Sequence, residues 1–112
     1  MPVVRSQHLG DGESSTADPV AFFTAGDTGI TVVKNLILGT TGYAVGFPTF
    51  AFILCQFSGG SLLPLLSNTQ EGSPYVASGG FWVVLPPGSQ LLLQGDGVNT
   101  WCATADGAVL QY

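Results

Sequence analysis

Residues 81–111, FWVVLPPGSQLLLQGDGVNTWCATADGAVLQ, decide the fold, because short apolar runs alternate there with turn residues. The breaks fall at 86–88 (PPG), 95–97 (GDG) and 106–107 (DG). Proline cannot donate to a sheet ladder, and glycine supplies the positive φ that tight turns need. Runs of β-branched and aromatic residues bounded in this way are typical of strands. This third of the chain is therefore predicted to form four short strands in an antiparallel meander.

The same signal extends back to residue 20. Pro64 interrupts one of the runs, which places that run at a sheet edge or a bulge. Short strands punctuated by turns, without a helical periodicity, favour an all-β, jelly-roll-like antiparallel sandwich, and an open Greek-key barrel is the alternative. The further predicted strands are 20–24, 30–38, 49–57 and 62–66, with 43–46 as a short strand or loop.

Residues 1–19 differ in composition from this body. They are polar and hold five of the chain's ten Asp, Glu, Lys, Arg and His residues, so they bury too little apolar surface to order themselves. We predict two parts, a flexible polar N-terminal arm at 1–19 and a β-sandwich body at 20–112, and a frayed terminus is the alternative to an arm. Deleting the arm is expected to leave the body folded. The ionisable residues of this segment are Arg5, His8, Asp11, Glu13 and Asp18.

Charge excludes two classes of partner. Only 8% of residues are charged, the net charge is −5, and Arg5 and Lys34 are the only strong bases. No basic face can therefore neutralise nucleic-acid phosphates or bind an anionic membrane. Residues 1–5 are not followed by the apolar run of a signal peptide, and polar residues, glycine and proline interrupt 47–66 too often for a membrane span.

Several predicted strands are apolar on both faces. In a two-layer sandwich only one face of each sheet looks inward, so the other faces are expected to meet another subunit or another protein. Hydrophobic residues make up 46% of the chain, which also favours burial of these faces against another subunit or protein. We predict a homo-oligomer, a dimer or a trimer. The candidate interface residues are Val3, Val4, Arg5, Leu9, Phe22, Phe23, Phe50, Phe52, Trp82 and Trp101.

The two cysteines, Cys55 and Cys102, both lie in apolar runs. They are expected to be buried free thiols that resist modification in the folded protein. A disulfide is the alternative, but an oxidising compartment is not indicated without a signal peptide.

The inventory of catalytic side chains is small. His8 is the only histidine and lies in the predicted arm, so neither a catalytic triad nor a histidine-rich metal site is expected. We predict no enzyme activity, no cofactor and no metal. Asp27 with Asp96 or Asp106 stays open as a calcium site if their loops converge.

The two tryptophans are expected to fill the core or a subunit interface. The alternative is an exposed platform for a sugar, formed by Trp101 with Asn99 and Thr100, which precede it.

Residues 84–91 (VLPPGSQL), 95–97 (GDG) and 99–101 (NTW), with Ala103, resemble the closing strands of small β-structured virion proteins of tailed bacteriophages, and head decoration (cement) proteins are the nearest type. The resemblance implies a non-enzymatic protein on the capsid exterior, assembled in the host cytoplasm. It also implies that the protein binds the major capsid protein and bridges coat subunits. The alternative is a carbohydrate- or receptor-binding β-sandwich module of a phage tail.

Overall fold

A computed structural model of the chain describes residues 6–27, 29–40, 50–69 and 75–110. Every regular secondary-structure element in these ranges is a β-strand, so the prediction of an all-β fold is confirmed. The strands are β1 (Ser6–Ser14), β2 (Val20–Thr24), β3 (Ile30–Thr40), β4 (Phe50–Gln56), β5 (Leu62–Thr69), β6 (Tyr75–Leu85), β7 (Gln90–Gln94) and β8 (Trp101–Leu110).

The strands form two antiparallel four-stranded sheets. The order is β1-β8-β3-β6 in the first sheet and β2-β7-β4-β5 in the second. Every connection except β4 to β5 carries the chain from one sheet to the other. Eight strands arranged in this way form the predicted jelly roll rather than an open barrel.

The core lies between the two sheets. The first sheet contributes Val33, Leu36 and Trp101, and the second contributes Ile53 and Leu91, all with no exposed surface. Alternation along each strand sends these side chains inward and their neighbours outward.

The turn at 86–89 is where predicted, but it does not join two strands of one sheet. Ser89 N donates to Pro86 O at 3.1 Å, and Gly88 has a φ of 84°. Ala25, just after β2, exchanges backbone hydrogen bonds with this turn, which ties the turn to the second sheet. The chain therefore passes from β6 in the first sheet to β7 in the second, and the predicted meander is wrong.

The predicted turn at 106–107 is also wrong, because β8 runs through it without a break. Gly107 is required there by close packing rather than by a turn, since a Cβ at this position would collide with the backbone carbonyl oxygen of Val32 on β3. A glycine that permits close backbone approach has the same sequence signature as a glycine that permits a turn.

Part of the predicted arm is a strand of the sandwich. Residues 6–14 form β1, which pairs antiparallel with β8 from the Ser6–Ala108 pair to the Ser14–Trp101 pair. Backbone pairing supplies order that the polar composition does not indicate. Deleting residues 1–19 would remove this strand, so the expectation that the body stays folded without them is corrected. Residues 1–5 lie outside the described ranges, and there the arm stays a prediction.

The strands at 20–24 and near 49–57 agree with prediction, and the Pro64 strand lies at a sheet edge with a register shift, as expected. The predicted run at 81–85 is the C-terminal part of a longer strand, β6, which begins at Tyr75. The predicted element at 43–46 lies outside the described residues.

Candidate functional site: the outer face of the first sheet

The outer face of the first sheet divides into two halves of opposite chemistry. On β3 and β6 it is largely hydrophobic, with one cation and one exposed amide, and on β1 and β8 it is polar and anionic. We call the first the apolar half, which consists of Lys34, Asn35, Ile37, Trp82 and Val84. We call the second the acidic half, which consists of His8, Asp11, Glu13, Thr104 and Asp106.

Bulges decide which side chains reach this face. The register shifts at Leu9 in β1 and at Lys34 in β3, opposite neighbouring residues of β8. In a regular strand, His8 and Asp11 are three residues apart and would point to opposite faces. The extra residue Leu9 changes the parity, so both side chains lie on the outer face.

Trp82 dominates the apolar half. Its side chain is 78% exposed, and Lys34 Nζ lies 5.1 Å from the centre of its ring, within cation–π range. Val84 at 54% and Ile37 at 40% extend the exposed hydrophobic surface along the same face. A large aromatic ring flanked by exposed aliphatic side chains is typical of a surface that another molecule covers.

His8 links the two strands of the acidic half. Its Nδ1 lies 3.1 Å from Asp106 Oδ1 on β8, and its Nε2 lies 3.1 Å from Asp11 Oδ2 on β1. Thr104 Oγ1 on β8 donates to Asp11 Oδ1 at 3.1 Å. Sequence reasoning missed this cluster because it placed His8 in an arm, and only the pairing of β1 with β8 brings the four side chains together.

Trp101 does not belong to any surface and is the largest of the fully buried side chains. Its indole Nε1 donates to Asp96 Oδ2 at 3.1 Å. Both its assignment as an interface residue and the sugar platform with Asn99 and Thr100 are therefore wrong. Trp101 points inward from β8, whereas Asn99 and Thr100 lie in the loop that precedes this strand.

Asp96 organises the loop between β7 and β8. Its carboxylate accepts five hydrogen bonds, from the backbone amides of Phe50, Val98 and Asn99 and from the side chains of Asn99 and Trp101. Burial raises the pKa of Asp96, but the hydrogen bonds from Asn99, Val98 and Trp101 outweigh it and lower the pKa to about 2. Asp96 is thus a structural acceptor.

The open calcium alternative gains no support from these placements. Asp96 is committed to the loop, and Asp106 lies inside β8 beside His8. Among the described residues, no three of His, Cys, Asp and Glu are placed to hold a metal ion.

The remaining candidate interface residues are half-buried or undescribed. Leu9, Phe22 and Phe23 pack against the core, and Phe22 fills the space left by the glycines of β1. Phe50 and Phe52, on β4 of the second sheet, are partly exposed with ring centres 6.0 Å apart. Val3, Val4 and Arg5 lie outside the described residues.

The two cysteines differ in exposure, and both are free. Cys55 is buried as predicted, whereas Cys102 is exposed, so the prediction for Cys102 is wrong. Alternation places Cys102 on the outer face of β8 because its neighbour Trp101 points inward. Burial and the nearby Glu13 carboxylate raise the pKa of the Cys102 thiol, which opposes formation of a reactive thiolate.

Comparisons with known proteins show the fold and no family. No family model matches the chain, and no curated protein matches it. The Eiger TNF of S. frugiperda is similar at a TM-score of 0.57 and 11% identity, over 99% of this chain and 93% of that one. The globular domain of zebrafish complement 1qA is similar at 0.54 and 12%, over 96% of each chain.

The chain shares the jelly-roll fold of these two proteins. An infectious bursal disease virus structure (Gt strain) also matches, at a TM-score of 0.47 and 15% identity, over 99% of this chain and 33% of the viral chain. That likeness is too low to bear on function. Within the part of the chain that the structure describes, no helix is long and apolar enough to cross a membrane.

Proposed function

We propose that the chain is a non-enzymatic structural protein that self-associates through the outer face of the first sheet and decorates the exterior of a viral capsid. The observation that carries the proposal is the exposed surface formed by Trp82, Val84 and Ile37. Exposing such an apolar surface to water is energetically unfavourable. Tryptophan is among the residues that contribute most to the binding energy of interfaces. The jelly-roll fold is compatible with this role but does not select it.

The two halves of the face suit a second copy of the chain. Lys34 is a strong base within the apolar half, and the acidic half beside it carries Asp11, Glu13 and Asp106. A copy rotated by a symmetry axis presents its acidic half to Lys34 while its hydrophobic side chains cover Trp82. Self-association as a dimer or trimer therefore buries the apolar half without leaving Lys34 unpaired.

The assignment to a capsid rests on the sequence resemblance to decoration proteins. On that basis, the partner is the major capsid protein, and an oligomer bridges adjacent coat subunits. Several weak contacts made by one oligomer would combine into firm attachment. Residues 1–5, with Val3, Val4 and Arg5, would add contacts beyond the compact body.

Particle occupancy tests the capsid role. Virions from the source are purified on a density gradient, and the copy number of the protein per particle is measured by mass spectrometry for wild type, Trp82→Ser and the control Val98→Ser. Val98 is an exposed hydrophobic residue in the β7–β8 loop, away from this face. We expect wild type and Val98→Ser to fill the particles and Trp82→Ser to leave most sites empty. A wild-type protein absent from purified particles would contradict the capsid role.

The alternative function is a carbohydrate- or receptor-binding module of a tail. One observation favours it. The exposed ring of Trp82 on β6 and the exposed amide of Asn35 on β3 lie on the same face of the first sheet. Aromatic rings with adjacent hydrogen-bonding groups suit sugar recognition. Under this alternative, the protein would be found in purified tails, and Trp82→Ser would abolish host-surface binding while leaving occupancy unchanged.

A further inference from the structure

Both ring nitrogens of His8 face carboxylate oxygens, and this geometry constrains the protonation state of the ring. A neutral imidazole has one N–H donor and one acceptor nitrogen, whereas the imidazolium donates from both nitrogens. Asp106 Oδ1 and Asp11 Oδ2 are both acceptors at 3.1 Å. Only the protonated ring satisfies both contacts at once.

The cluster joins β1 to β8 at two points. Thr104 and Asp106 belong to β8, and His8 and Asp11 belong to β1. The chain of contacts therefore runs from Thr104 to Asp11, to His8 and back to Asp106. It spans the bulge at Leu9, where the backbone ladder between the strands is interrupted.

β1 has few other anchors in its side chains. Gly10 and Gly12 offer no side chain to the core, and a Cβ at Gly12 would lie 2.7 Å from Phe22 Cβ. Leu9 is half-buried and Ser14 is buried. An edge strand with so little side-chain burial opens more readily than the central strands.

We propose that His8 is a proton-dependent clasp that holds the edge strand β1 on the sheet and loosens it when the ring loses its proton. Loss of the proton removes one of the two hydrogen bonds and leaves Asp11, Glu13 and Asp106 without a cation from the same chain among them. Opening of β1 would expose the edge of β8 and uncover Phe22. The freed segment would then be the extended arm that the composition of residues 1–19 indicates.

The surroundings of the His8 ring determine whether the clasp is weakened by raising or by lowering the pH. The hydrogen bond to Asp106 and the charge of Asp11 raise the pKa of His8 above its ordinary value of 6.5, against a smaller opposing effect of desolvation. Since the folded protein binds the proton more tightly, the clasp is complete below 6.5 and is lost as the pH rises through the higher pKa of the folded ring.

The other groups near the clasp are few. On β1 the further charged group is Glu13, and on β8 the further titratable group is the Cys102 thiol, which lies opposite Glu13. On β3, next in the sheet, the register places the neutral Asn35 beside Asp106, while Lys34 extends over Trp82. The His8 side chain is 52% exposed, so salt should weaken the effect.

Hydrogen exchange of the intact protein tests the proposal. The protection of the β1 amides is measured from pH 5.5 to 9 relative to the β4 amides of the same sample, which removes the common pH dependence of exchange. Ring resonances of His8 give its titration directly by NMR. We expect β1 protection to fall several-fold with the same midpoint as the His8 titration, and the fall to shrink in high salt.

Three variants separate the clasp from other titrating groups. His8→Gln retains every other ionisable group, including the terminal amine, and should show low β1 protection at every pH. Asp106→Asn should lower the midpoint, and the control Asp18→Asn should match wild type. Constant β1 protection across the His8 titration, or the same pH dependence in His8→Gln, would overturn the proposal.

Discussion

Asp96 is the residue on which the β7–β8 loop depends. Removing its carboxylate leaves the indole N–H of Trp101 and the side chain of Asn99, both buried, without an acceptor. Unpaired buried donors of this kind cost about 1–3 kcal/mol each. We expect Asp96→Ala to lower the free energy of unfolding in urea by roughly 2–4 kcal/mol. The control Asp27→Ala, at an exposed loop position, should change it little, and equal losses in the two variants would contradict the account.

The two thiols provide a second test at the scale of single residues. Cys102 is exposed and Cys55 is buried. A maleimide reagent should modify Cys102 in the native protein and reach Cys55 only after denaturation, as read by peptide mass. Because burial and Glu13 raise the pKa of Cys102, its labelling should be slower than that of a free thiol at neutral pH. Rapid native labelling of Cys55 would show that the sandwich is not packed as described.

The two tryptophans show what a sequence pattern cannot decide. Trp82 sits in a wholly apolar run and Trp101 beside polar residues. Nevertheless Trp82 is 78% exposed and Trp101 is fully buried. Periodicity identifies the two faces of a strand, but where both faces are apolar it does not say which one looks inward.

Strand β8 depends on a glycine for its pairing with β3. In Gly107→Ala the new methyl group would collide with the Val32 carbonyl, so the two strands must separate locally. We expect a loss of about 2–3 kcal/mol in unfolding free energy, or failure to fold. Gly26→Ala is the matched control because a Cβ there meets nothing within 4 Å. A stable Gly107→Ala variant with unchanged exchange protection of β8 would contradict this reading.

Element boundaries were predictable where a run has one clear break at each end. The strand 20–24 and the edge position of the Pro64 run follow directly from residue types. The bulges at Leu9 and Lys34 were not predictable, because each depends on how a neighbouring strand pairs. The His8 cluster exists only because of the first of these bulges, so the candidate site was largely hidden from sequence reasoning.

The architecture of the whole molecule follows from the turn residues that divide the sequence into short apolar runs. Many short runs with little charge require a layered β fold, and the eight strands pair as a jelly roll. Because the chain has so few charged side chains, the apolar half of the outer face stays exposed to solvent in a single chain. Fold and proposed self-association thus have one physical origin, a chain with more hydrophobic surface than one sandwich of this size can enclose.

Sedimentation velocity over a wide concentration range tests self-association through this face most directly. Wild type should sediment as a dimer or trimer at micromolar concentration. Trp82→Glu should sediment as a monomer, and it should melt at the same temperature as wild type that is dilute enough to be monomeric, because Trp82 is exposed and contributes nothing to the core. Val98→Glu should behave as wild type. A wild-type protein that stays monomeric at every concentration, or a Trp82→Glu variant that still assembles, would contradict the account.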